Sequence, residues 1–86
     1  VVQGGKTVQA RRNAVWALNR IGTAEARAGV RLALADADAS VRNAAAHAAG
    51  LQRDTEAFAT LAQGVVKDVS PAVRRNCATG LGRLRK

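Results

Sequence analysis

The sequence predicts an all-α solenoid of about two and a half helix-pair repeats, five helices in antiparallel pairs. Three observations predict it. One phrase of small and basic residues recurs at 10–21, 41–52 and 73–84, so its copies start 31 and then 32 residues apart. That period is too long for one helix and fits a helix pair with two turns. Capping residues recur at one offset before each copy: Thr7, Asp38 and Ser70. Between the copies lie two segments whose apolar residues fall at the i, i+3, i+4, i+7 spacing of a single buried helix face.

The elements follow in order. Each of Thr7, Asp38 and Ser70 offers a side-chain oxygen to a backbone NH left free in a first helical turn. Pro71 follows Ser70 at the position where its fixed φ suits a helix and its missing NH costs nothing. Three A helices are therefore expected to begin near 8, 39 and 71. Two B helices are expected after Thr23 and Asp54, with Glu25 and Glu56 early, where a carboxylate favours the amino end. This divides the chain into a lead-in linker at 1–6 and an array at 7–86: repeat one at 7–37, repeat two at 38–69, half a repeat at 70–86.

The expected buried set of the A helices is Ala10, Ala14, Ala17, Leu18 and Ile21, then Val41, Ala45, Ala48, Ala49 and Gln52, then Val73, Cys77, Gly80, Leu81 and Leu84. Small residues dominate, so helix axes can approach closely. On the first B helix the stripe is Ala26, Val30, Ala33 and Leu34, opposite Thr23, Arg27 and Arg31. On the second it is Phe58, Leu61, Ala62, Val65, Val66 and Val69, opposite Glu56, Thr60, Gln63 and Lys67.

The residues from about Thr7 onward resemble the HEAT-like repeats of the phycobilisome lyase type, a pattern also used as a template for artificial α-repeat proteins. The stretches from Asp36 to Ala49 and from Asp68 to Leu84 carry it: an Asp in the turn, a Val-Arg pair, then Ala-rich positions. The resemblance implies structural pairs of Asp36 with Arg42 and Asp68 with Arg74, leaves Arg11 without a matching Asp, and places A helices on the convex face and B helices on the concave one. Asn19, Ala49 and Gln52 depart from the pattern and suggest a diverged natural repeat. Proteins with such repeats include bilin lyase subunits, scaffolds, signalling adaptors and DNA glycosylases, and no functional motif of theirs is matched.

At 86 residues the chain is at most one domain. Arrays of this kind generally need about three units and polar capping repeats. The expectation is a piece of a longer array, or ends covered by another copy or another protein. Charge bears on partners. The formal total is +8; segments 7–22, 39–53 and 71–86 hold ten basic residues and no acidic one, while 23–38 and 54–70 hold three basic and six acidic. One layer is therefore positive.

Two surfaces are candidates for binding. The leading one is the B ridge of Arg27, Arg31, Glu56, Thr60, Gln63 and Lys67, read as a protein-partner surface. The alternative is the basic A face of Arg12, Arg20, Arg53, Arg75 and Arg83, with Arg85 and Lys86, read as a phosphate-attracting surface for nucleic acid without sequence preference. The plainer reading of that face is a solvated surface that keeps an Ala-rich protein dissolved. Aromatic side chains for stacking on bases are nearly absent, which disfavours single-strand recognition.

Trp16 lies off the main apolar stripe, at the position of His47 and Thr79 in the other copies. It is either a partner anchor or packing against a neighbouring repeat. Cys77 stands where Ala14 and Ala45 stand, which argues for a small core residue. No cofactor, metal set or catalytic group is expected, because His47 has no second ligand at metal spacing and nothing suggests a base beside Cys77. An enzymatic alternative is the non-catalytic part of a lyase or glycosylase-like enzyme. A lone Cys fits a reducing compartment such as the cytoplasm, and no apolar run approaches a membrane span.

Overall fold

The computed structural model describes residues 7–84; the lead-in at 1–6, and Arg85 and Lys86, lie outside the described residues. Five α-helices follow one another: α1 Val8–Ile21, α2 Ala24–Ala33, α3 Ala39–Leu51, α4 Phe58–Lys67 and α5 Pro71–Leu84. Among the described residues there is no strand. The caps act as the sequence requires. Thr7 Oγ1 accepts from the Ala10 amide, Thr23 Oγ1 from Ala26, an Asp38 carboxylate oxygen from Ser40 and Ser70 Oγ from Val73.

The second B helix starts differently. Asp54 accepts from the Glu56 amide, and the Ala57 amide closes onto the Asp54 carbonyl, so Thr55–Ala57 forms a 3₁₀ turn before α4 begins. An i+3 bond of that kind tightens a first turn at the expense of the α register. At the other ends, Gly22 closes α1 in the left-handed region with φ 72°. After α3 the same duty falls to Arg53 at φ 52°, with the Arg53 amide on the Gly50 carbonyl and the Asp54 amide on that of Ala49. That Schellman-type closure normally takes glycine.

The helices form a slab of 33 × 28 × 14 Å with α3 at its centre. It packs against α1, α2 and α5, and α4 lies chiefly on α5. Centrality explains its composition: seven of its residues are buried, five of them alanines. Axes come close where side chains vanish. A Cβ added at Gly50 would stand 2.8 Å from the Gly80 Cα, and one at Gly64 would stand 2.5 Å from Cys77 Sγ. Val15, Val30, Val41, Leu61 and Val73 supply the larger core volume.

Several expected core positions lie elsewhere. Ala10 is exposed and Ile21 is 60% exposed, while Val15, outside the expected set, is fully buried. In α4 only Leu61 is buried, while Phe58 and Val66 are exposed, since α4 packs chiefly on α5; Val69 is exposed because the helix ends at Lys67 and leaves it in the turn. Gln52 is half-buried. Its Nε2 donates 3.1 Å to the Asn19 carbonyl across to α1, and its buried Oε1 has no partner among the described residues. The first B stripe, Ala26, Val30, Ala33 and Leu34, is buried throughout.

Candidate functional site

The turn aspartates are shared between repeats. Arg11 Nε lies 2.8 Å from Asp36 Oδ2, and Arg42 Nε lies 2.8 Å from Asp68 Oδ2. Each carboxylate also accepts the amide two residues on, Asp38 or Ser70, at 2.9 Å. Arg42 Nη1 then reaches back to the Asp36 carbonyl at 2.9 Å, as Arg74 Nη1 reaches the Asp68 carbonyl at 2.7 Å. The pairing implied by the resemblance is thus corrected: the Arg that follows a turn takes its carbonyl, and the Arg of the preceding A helix takes its carboxylate. Arg11, expected to lack an Asp, has Asp36. Asp36 Oδ1 accepts both from its own chain at the Asp38 amide and from Arg11 Nη2 of the preceding A helix, so one carboxylate joins turn and helix.

These ion pairs are mostly buried, so their charges are interdependent. The Arg42 hydrogen bond holds the Asp68 carboxyl below its ordinary 3.8 against the opposing effect of burial, and the Arg42 guanidinium is raised in turn. Asp38 is lowered by the Ser40 hydroxyl and amide.

On the B ridge the arginines are engaged within the fold. Arg31 pairs with the buried Asp54 and stands 3.5 Å from Glu56, and Arg27 donates 2.9 Å to the Gly22 carbonyl. Thr60, Gln63 and Lys67 come together along a shallow groove of 290 Å³ bounded by Leu34 and Asp68. Glu56 and Arg27 do not line it.

The A layer presents the larger concavity, 420 Å³, lined by Arg12, Trp16, Ser40, Asn43, Ala44, His47 and Asn76 from α1, α3 and α5. Trp16 and His47, equivalent positions in successive repeats, meet edge to face with centroids 5.5 Å apart. Arg12 donates to Ser40 Oγ at 3.2 Å and Gln9 Oε1 at 3.1 Å. Asn76 Nδ2 donates to Asn43 Oδ1. Of the basic-face residues, only Arg12 lines this groove; Arg20, Arg53, Arg75 and Arg83 are exposed away from it. None of these five pairs with a carboxylate among the described residues. Asn43 and Asn76 escaped the sequence reading because they occupy different repeat positions, and only the stagger of α3 against α5 brings them together.

Cys77 is buried against Gly64, and burial pushes its thiol up from the ordinary value. Among the described residues no group of His, Cys, Asp and Glu could hold a metal ion. No described helix is long and apolar enough to cross a membrane.

Stacked helix pairs, tied turn to turn by Arg–Asp bonds, define a helical-repeat solenoid. The sequence model for HEAT repeats matches residues 29–86, about two thirds of the chain. The chain belongs to the HEAT-repeat family, whose members are commonly protein-interaction scaffolds. No curated protein matches it.

Proposed function

We propose that the chain is a non-catalytic interaction module that engages a protein partner through the grooved side of its A layer. The observation that carries this is the groove itself: a concavity bearing the single Trp of the chain, with no acidic side chain among the residues that line it. Aromatic anchors in desolvated clefts dominate many interfaces. The B ridge is the lesser candidate, since Arg27 and Arg31 already bond within the fold and their reorientation would expose Asp54 unpaired. Within the family, the phycobilisome lyase type remains the finer reading of the repeat pattern. A role as the non-catalytic part of a lyase or glycosylase-like enzyme would place all chemistry outside these residues.

Arg20, Arg53, Arg75 and Arg83, without a carboxylate partner among the described residues, favour a second reading, sequence-independent binding of nucleic acid. The two separate in one experiment. Immobilised chain, Arg12→Glu and Lys67→Glu are used to capture partners from an expressing-cell extract, with and without nuclease, at about 50 and 200 mM salt. The protein reading expects a nuclease-resistant partner kept by Lys67→Glu and lost by Arg12→Glu. Loss with Lys67→Glu alone would return the B ridge to first place, and nuclease-sensitive, steeply salt-dependent capture would favour nucleic acid.

A further inference from the structure

The groove has a hydrogen-bonding signature beyond its charge. With Asn76 Nδ2 bonded to Asn43 Oδ1, the pair keeps the Asn43 amide NH₂ and the Asn76 carbonyl without partners among the described residues. Exchanging O and N in both side chains leaves the same pattern, one amide NH₂ and one carbonyl with no bond, on opposite members of the pair. A peptide unit offers the matching acceptor and donor side by side. A phosphate diester only accepts, so it would leave the Asn carbonyl unmatched on binding, at a desolvation cost.

Charge then selects among peptides. Arg12 is bonded to two neutral oxygens, no acidic side chain lines the groove, and the Asp38 carboxylate behind Ser40 is occupied by the Ser40 hydroxyl and amide. Trp16, held edge-on by His47, presents an apolar surface beside these polar groups. We propose that this groove binds an extended, acidic peptide segment of a partner protein: the Asn43–Asn76 pair takes one backbone peptide unit, Arg12 takes an Asp or Glu side chain, and Trp16 packs an apolar residue next to it. This deepens, and rests on, the reading of the A layer as a protein-binding surface.

The test is selection of random peptides of about ten residues, which at about 3.3 Å each span the 33 Å long dimension of the slab. Peptides displayed on phage are selected on the intact chain. Enriched peptides are then synthesised and titrated while Trp16, the single Trp, reports by fluorescence. Enrichment of Asp and Glu around an apolar residue is expected, with a change in Trp16 emission. Asn76→Asp, nearly isosteric, places a like charge in the groove and is expected to weaken these peptides at least about tenfold, as is Arg12→Glu. Far-UV circular dichroism checks that both variants are folded, and Arg12→Gln replaces Arg12→Glu if that variant is not.

Failure to enrich any peptide, enrichment without acidic excess, or equal binding by Asn76→Asp would overturn the proposal, as would displacement of duplex DNA bound with higher affinity at the same groove. A folded partner captured in an Arg12-dependent way, with no peptide enriched, would overturn the extended segment and keep the protein-binding module. Capture indifferent to Arg12→Glu would overturn both.

Discussion

Asp68 joins two arginines through different atoms, its carboxylate to Arg42 and its carbonyl to Arg74. Only the first bond depends on its charge. Because the folded carboxyl titrates below the ordinary 3.8, the stabilisation from Arg42 is complete above that value and is lost as pH falls through the lower folded value. Asp68→Asn is expected to cost about 1.5–3 kcal/mol at neutral pH. In urea unfolding the gap from the parent chain should shrink as pH falls below 3.8, the ordinary carboxyl value that the unfolded chain keeps, toward the lower value of the folded one; a gap constant with pH would remove the charge from the explanation. The Val-Arg phrase made these arginines visible in the sequence. Which carboxylate each would meet was not visible, because Asp36 and Asp68 each join their own chain two residues later to an arginine of the preceding A helix.

Helix identity was legible because caps and apolar spacing agree at four of the five starts: Thr7, Thr23, Asp38 and Ser70 all accept first-turn amides. Which face each helix buries was less legible, since Ala-rich helices look apolar on every side. Phe58 and Val66 fit the α4 stripe and yet stay exposed, whereas Val15 lies off the expected α1 set and is fully buried. Contact between α4 and α5 depends on a missing side chain. Gly64→Ala would drive its Cβ into Cys77 Sγ and is expected to cost about 1–3 kcal/mol, partly offset by up to about 1 kcal/mol of helix propensity. In a Cys77→Ala background the sulfur is gone and the Cβ at 77 stands at 3.4 Å. There Gly64→Ala should become neutral or stabilising in a thermal-unfolding double-mutant cycle; equal penalties in both backgrounds would contradict the close approach.

Across the whole molecule, charge separates by layer as composition foretold, but its use differs between layers. B-layer charges are largely paired, with Arg31 on Asp54, while A-layer arginines away from the turns remain available. The candidate groove was only half legible: Trp16 and Arg12 drew notice from the sequence, and the amide pair needed the stacking of α5 on α3. The shared turns also bear on how the array comes apart. Arg42 holds the turn before its own helix and the turn after the following one, so neither repeat can release its half of the bond without loosening the other. Repeat stacks are often treated as independent units with nearest-neighbour coupling; here the coupling residue lies in both units at once. Heat should therefore melt this chain in one transition, its calorimetric and van't Hoff enthalpies equal, and Arg42→Ala should split it into two. The bond that spans the turns would then work as a fuse, deciding whether damage in one repeat stays local or disarms its neighbour.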